Sequence, residues 1–238
     1  MVSAVIVAAG RGTRMGPNVD KLFLEVAGLP IVAHAWRRFD QAPEIDEIIL
    51  VIRPGMESAF RDIATQITPS RPFRFAHGGA ERQDSVANGL NAVSPKAEIV
   101  MIHDGARPLP HPSVIANCLA AARCHGAAVA AQKITDTIKQ TDGEGFIERN
   151  VDRERLASVQ TPQVFRLPII RRALEEVRSR GLAVTDDTAA CELIGQKVAL
   201  VFSHHPNPKA TSPSDLPYID LLLRQESVPA HSLANPSA

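Results

Sequence analysis

The 238 residues are 45% hydrophobic and only 4% aromatic, and 26 basic side chains offset 26 acidic ones. That length suits one large α/β domain or two small ones, and the even charge leaves no net field to draw the chain to nucleic acid or to a membrane surface, so a polyanion site must be a local cluster of cations. No apolar run reaches the 18 residues of a membrane span, and Cys118, Cys124 and Cys191 are odd in number without C-x-x-C spacing, as reduced thiols would be. A first strand starting near Ser3 leaves no room for a leader peptide, so the expected location is the cytoplasm.

In chain order, "SAVIVAA" (3–9), "EIILVIR" (47–53), "EIVMIHD" (98–104) and "AAVAAQ" (127–132) are short, continuous apolar runs. Parallel strands covered on both faces have that pattern. Helical periodicity fills 30–41, 55–66, 81–93 and 112–125 between them, with Pro112 suited to a first helical turn and Gly126 to a helix end. The alternation predicts an α/β fold with a doubly wound, mostly parallel sheet, in which ligands bind at the carboxyl ends of the strands. Residues 133–151 differ. Ile134, Asp136, Ile138 and Gln140 alternate in type, and Asp142–Gly143 is a hairpin signal. A two-stranded β-arm is expected there, and because an isolated hairpin is marginal in water it should dock on something, such as another subunit. Helical patterns return at 168–180, 186–194 and 214–225. A single domain over 1–226 is expected, and the small, polar tail 227–238 should be disordered.

The stretch "VIVAAGRGTRMGPNVDK" (5–21) carries three glycines and three cations. Glycines let backbone N–H groups approach a ligand closely, and the cations suit an anion. A dinucleotide loop needs a third glycine where Met15 stands and an acid where Arg53–Pro54 ends the second strand. A P-loop needs Lys-Ser or Lys-Thr, and none follows. What remains is A-A-G-x-G-T-R-M…K, with Arg14 and Lys21 as the cations.

That signature resembles the nucleotidyltransferases that join a nucleoside triphosphate to a sugar phosphate. Downstream, "GGAERQDSV" (78–86), "HDGARP" (103–108), "DT" (136–137), "VDRERLASVQTPQVF" (151–165), "TDD" (185–187) and "NPKATSPSDL" (207–216) appear in order. Together they resemble the 2-C-methyl-D-erythritol 4-phosphate cytidylyltransferase family over roughly residues 3–225. The resemblance implies a Rossmann-like fold of the glycosyltransferase-A kind, CTP as substrate and Mg²⁺ as the metal. Arg14, Lys21 and Lys209 would be the catalytic cations on the CTP phosphates. Ala8, Ala9, Gly10, Gly12, Gly79 and Ser85 would form the cytosine and ribose pocket, although Ser85 could equally bond to its own helix start. Asp104, Arg107, Thr137, Arg153 and Thr161 would hold the acceptor, with Asp104 also near the metal. Thr137 and Arg153 would reach the neighbour's site across a two-fold axis, which implies a homodimer through the β-arm.

Three departures stand out. Ala80 replaces a polar residue, Pro208 precedes Lys209, and Asp20 stands where relatives place proline before the lysine. A carboxylate beside Lys21 could hold it in place or partly neutralise it, and the sequence does not choose. Ribitol 5-phosphate cytidylyltransferase shares the loop and "QTPQ", but Arg153 in "VDRERL" favours the methylerythritol substrate. A nucleotide sensor without catalysis is disfavoured by retention of all three cations.

Overall fold

The computed structural model describes residues 1–10 and 20–227, apart from the side chain of residue 227. Gly12, Arg14, Met15 and the tail beyond 227 therefore lie outside the described residues. Strand β1 (Val2–Val7) is followed by a small antiparallel pair, β2 (Glu25–Val26) and β3 (Leu29–Pro30), that leads into α1 (Ile31–Gln41). Then come β4 (Glu47–Ile52), α2 (Glu57–Ile67), β5 (Phe73–His77), α3 (Arg82–Ala92), β6 (Ile99–Asp104), α4 (Pro112–His125) and β7 (Ala127–Lys133). A separate pair, β8 (Ile138–Thr141) and β9 (Ile147–Val151), precedes β10 (Ala157–Arg166), α5 (Leu167–Ser179), α6 (Asp187–Leu193), β11 (Ala199–Phe202) and α7 (Leu216–Ser227).

Seven strands form the central sheet in the order β11-β7-β10-β6-β1-β4-β5. Neighbours pair in parallel except β10, which runs antiparallel to both β6 and β7. The sheet is buried from both sides, and side chains alternate between two cores as the strand period of two requires. Ile6, Ile48 and Leu50 join Trp36, Phe39 and Phe60 on one face. Val5, Ile49 and Val51 join Val86, Leu90, Phe165 and Ile170 on the other. Strands with both faces covered have no polar side to show, which is why β4 after Glu47 reads as an unbroken apolar run. From β1 the chain steps to β4 and β5 on one side and later to β6 on the other, so a crevice opens at the carboxyl ends of β1 and β6. Val7 and Asp104, the last residues of those strands, are register partners.

The four strands and seven helices expected from periodicity are present with small shifts of boundary. Three further strands of the central sheet are not visible as patterns. β5 (FRFAH) is an edge strand with no buried residue. β11 (ALVF) is also an edge and leaves Leu200 and Phe202 about half exposed. β10 (ASVQTPQVFR) is central yet contains Pro162, which cannot donate to a ladder and is confined to edges and bulges. A register shift between Val159 and Gln163 accommodates it.

The expected hairpin over 133–151 is narrower than the alternation suggested. β7 runs on to Lys133, and β8 begins only at Ile138. Its turn is wider than a two-residue Asp-Gly loop. The Asp142 carboxylate accepts from the amides of Glu144 (2.8 Å) and Phe146 (3.1 Å), with Gly143 and Gly145 both at positive φ. Pairs β8 and β9 share no ladder with the central sheet, and Phe146 and Ile147 at the turn are 71% and 65% exposed.

Helix α3 seats against the sheet through Gly89, where an added Cβ would lie 2.6 Å from Val5 Cγ1 and 2.8 Å from Val51 Cγ2. β-branched neighbours in a filled core cannot swing aside. Gly89→Ala should therefore destabilise the fold by about 1–2 kcal/mol despite alanine's better helix propensity. Thermal denaturation should show a melting temperature lower by roughly 2–8 °C, and an unchanged value would mean that α3 lifts off freely.

Candidate active site

Four segments converge on the crevice at the ends of β1 and β6: the turn at 20–23, the 79–85 loop and helix start, the 103–107 strand end, and 207–210 before α7. They enclose a cavity of about 470 Å³ whose lining includes Ala9, Gly10, Lys21, Gly79, Arg82, Ser85, Asp104 and Lys209. Glycines at 78 and 79 let the second segment approach. A Cβ at Gly78 would lie 2.2 Å from that of Ala9, and one at Gly79 would lie 2.2 Å from that of Asp84. Helix α3 then starts with a capping box between Glu81 and Asp84, which points its N-terminal dipole end at the cavity, where negative charge is favoured.

Asp104 is the centre of charge. One carboxylate oxygen accepts from Arg82 Nε at 3.3 Å and the other from Lys209 Nζ at 2.7 Å, with Arg107 Nε 3.9 Å away. Burial alone would raise the Asp104 carboxyl. The charges of Arg82 and Lys209, the Lys209 hydrogen bond and the charge of Arg107 outweigh it and hold the group well below the usual carboxylate range. Arg82 also donates to the buried Asp187 carboxylate at 2.9 Å. Burial opposes its charge, but Asp187 and Asp104 together push its pKa above the ordinary value.

Behind Asp104 a second layer fixes the strand end. The Asp104 amide donates to Thr161 Oγ1 at 3.1 Å, and Thr161 Oγ1 lies 3.0 Å from His103 Nδ1. His103 Nε2 faces the Arg107 carbonyl at 2.9 Å. A carbonyl only accepts, so Nε2 carries the proton and the Thr161 hydroxyl donates to Nδ1. Arg107 Nη1 donates to the Asn207 carbonyl at 2.6 Å, Asn207 Nδ2 to the Thr161 carbonyl at 2.8 Å, and the Ala210 amide to the Ala106 carbonyl at 2.8 Å. Lys21 Nζ donates to the Ala210 carbonyl at 2.9 Å. The two lysines thus meet from opposite ends of the sequence, and Pro208 does not keep Lys209 from Asp104.

The remaining site candidates fall into three groups. Ala8 sits in the core with its amide bonded to the Val51 carbonyl, between Val7 and Ala9, which line the cavity while it does not. The Ser85 hydroxyl lines the cavity but bonds locally, accepting from the Gly79 amide at 3.0 Å and donating to the Glu81 carbonyl at 3.1 Å. Thr137 and Arg153 are exposed at the base of the β8–β9 hairpin, where Arg153 donates to the Thr135 carbonyl; neither lines the cavity. Sequence reasoning missed Arg82 and Asp187, although both lie inside quoted motifs. Their signal was the pairing of an arginine in "ERQDS" with an acid in "TDD", residues 105 apart.

Among the described residues no group of three or more His, Cys, Asp or Glu side chains could hold a metal. Asp104 is an ionised oxygen donor at the cavity wall. One carboxylate with substrate phosphates is a donor set that suits Mg²⁺. Among the described residues that line the cavity there is also no nucleophile–base pair, since Ser85 bonds to backbone and the Thr161–His103 pair is buried behind Asp104. Cations gathered at strand ends without one suit an enzyme that brings two polyanions together, and that class is the nucleotidyltransferases. A family model for IspD, 2-C-methyl-D-erythritol 4-phosphate cytidylyltransferase, matches residues 2–225. The cytidylyltransferase of that name from Pelotomaculum thermopropionicum is 41% identical over 224 residues, 94% of each chain. The crystal structure of 4-diphosphocytidyl-2C-methyl-D-erythritol synthase from Anaerococcus prevotii superposes with a TM-score of 0.83 at 31% identity, covering 94% of this chain and 98% of that one. The Thermus thermophilus cytidylyltransferase gives 0.76 at 33%, covering 94% and 100%. The chain belongs to the 2-C-methyl-D-erythritol 4-phosphate cytidylyltransferase family.

His103 is fully buried, and burial pushes its pKa from 6.5 down to about 4, despite its hydrogen bond to Arg107. Between those values the unfolded chain takes up a proton that the folded chain refuses. Stability should therefore fall as the pH drops from about 6.5 toward 4, by up to about 3 kcal/mol. Any contribution from Asp104 is lost only at lower pH, because its folded pKa is depressed. His103→Gln can keep both hydrogen bonds without titrating. Urea denaturation midpoints across this window should decline less steeply in that variant; parallel declines would refute the assignment.

Proposed function

We propose that this protein transfers the cytidylyl group of CTP to 2-C-methyl-D-erythritol 4-phosphate, giving 4-diphosphocytidyl-2-C-methyl-D-erythritol and pyrophosphate. The observation that carries the reading is the meeting of Lys21 and Lys209 beside Asp104 in a glycine-walled cavity at the β1/β6 crevice. The acceptor is a phosphomonoester with a second pKa near ~6, so at neutral pH it is largely dianionic and needs no general base. One of its oxygens forms a bond to the α-phosphorus of CTP as the bond from that phosphorus to the pyrophosphate oxygen breaks in line. The protein's task is to hold two polyanions together and to stabilise the charge of a crowded transition state.

Lys21 and Lys209, with Arg14, hold the triphosphate, and Lys209 exchanges its carboxylate partner for a phosphate oxygen as the nucleotide enters. Backbone groups of Ala8, Ala9, Gly10, Gly12 and Gly79, with Ser85, take the cytosine and ribose. Asp104 would hold Mg²⁺ together with the CTP phosphates, and the ion would supply further neutralisation of phosphate charge. Asp104, Arg107 and Thr161 shape the acceptor side. Thr137 and Arg153 complete the acceptor side of a neighbouring subunit's site, which makes the working unit a homodimer joined through the β8–β9 arm; the expected compartment is the cytoplasm.

Pyrophosphate release from CTP and Mg²⁺ should occur with methylerythritol phosphate and not with ribitol 5-phosphate; the reverse would keep the mechanism and change the substrate. Lys209→Ala should lower kcat on the order of a hundredfold, about 3 kcal/mol, without loss of folding. Arg153→Ala and Lys209→Ala chains should each be nearly inactive alone. Mixing should restore up to about a quarter of wild-type activity, because half of the dimers then hold one intact shared site. No recovery would place Arg153 in its own chain's site.

A further inference from the structure

Arg53, directly after β4, touches two points of the chain that flank residues 11–19. Its Nη1 donates to the Gly10 carbonyl at 3.1 Å, and its Nη2 pairs with one oxygen of the Asp20 carboxylate. The other Asp20 oxygen accepts from the Leu22 amide at 3.2 Å and so caps the turn Lys21–Phe23. Both oxygens of the carboxylate beside Lys21 are thus engaged, and the Lys21 ammonium reaches the Ala210 carbonyl. Gly10 and Lys21 line the cavity; Arg53 does not.

We propose that Arg53 is a positioning residue for the nucleotide end of the site. Resting on the function proposed above, it fixes the Gly10 backbone and the turn that carries Lys21 by holding the Gly10 carbonyl and the Asp20 carboxylate on one guanidinium. The planar fork suits this task, because its donors keep a fixed spacing that a lysine ammonium would not impose. Without the clamp, two segments ten residues apart must be ordered by the nucleotide itself, and that conformational entropy is subtracted from binding. The effect falls on CTP and spares the acceptor, whose side chains stand on other segments. Arg53 and Asp20 keep only 25% and 22% of their side-chain surfaces exposed, so opening the pair can also cost stability, and melting temperature must be read beside KM. Asp20 at a position where proline is usual thereby gains a function through its partner on β4's end.

The test uses full-length wild type, Arg53→Met, Asp20→Asn, the double variant and Arg53→Lys. KM for CTP, KM for the acceptor, kcat and melting temperature are measured for each, with hydrogen exchange at the Leu22 amide in the absence of nucleotide. Each single variant should raise KM for CTP about tenfold while KM for the acceptor stays within about twofold. The double variant should be no worse than Arg53→Met, since both changes open the same clamp, and Arg53→Lys should recover part of the loss. Exchange at Leu22 should quicken in Arg53→Met. The proposal is overturned if the singles stay within about twofold of wild type, or if their effects multiply in the double variant. It is equally overturned if Asp20→Asn leaves CTP binding intact, which would mean that Arg53 meets the nucleotide directly. A wild-type chain that releases no pyrophosphate from CTP refutes the proposed function instead; unchanged exchange at Leu22 then overturns the clamp on its own.

Discussion

Asp104 stands at the carboxyl end of β6 with one oxygen toward Arg82 and the other toward Lys209. A carboxylate taken this far from water is costly unless it is paired and hydrogen-bonded, and here the pairing reaches into three other segments. Arg82 brings in the start of α3 and, through Asp187, the start of α6. Lys209 brings in the chain before α7. The strand end itself is fixed from behind by Thr161, on β10, and by His103. The mouth of the sheet is therefore one electrostatic unit in which Arg82, Arg107 and Lys209 share one anion, while Lys21 is held by the Ala210 carbonyl.

This arrangement explains why a chain with no net charge can still offer a site for polyanions. Its cations are not a surface field, which salt would screen. They are a few side chains held by hydrogen bonds in partly buried positions, where a charge acts more strongly on its neighbours. Phosphate oxygens would replace one anionic partner by another at Lys209, so little desolvation is left to pay at the moment of binding. Groups that are already oriented also cost no reorganisation when charge develops in a transition state.

The fold was legible wherever burial was two-sided. β1, β4, β6 and β7 have apolar faces front and back, and no other pattern suits such runs. β5 and β11 were not legible because an edge strand needs less apolar surface and can mix Phe with Arg, as "FRFAH" does. β10 was hidden by Pro162, whose place in a central strand depends on a register shift that only pairing with β6 and β7 defines. In the site, Lys21, Lys209 and Asp104 could be named from the family resemblance, since each stands inside a motif that carries it. Their mutual distances could not, because Lys21 and Ala210 are 189 residues apart and meet only through the sheet. Arg82, Asp187 and Arg53 read as ordinary surface charges until the fold supplies their partners.

Asp20 shows how far a single residue's meaning depends on tertiary context. Next to a lysine in sequence, a carboxylate invites the reading that the two neutralise each other. In a short turn, however, an Asp before the first residue has a nearer task, which is to accept from an amide left unpaired by the turn. That geometry directs its second oxygen away from the following side chain, and β4 ends where an arginine can meet it. The ammonium of Lys21 donates to the Ala210 carbonyl, in the segment that carries Lys209. A carboxylate that looks antagonistic to Lys21 in sequence is, in the folded chain, the cap of the turn on which that lysine stands.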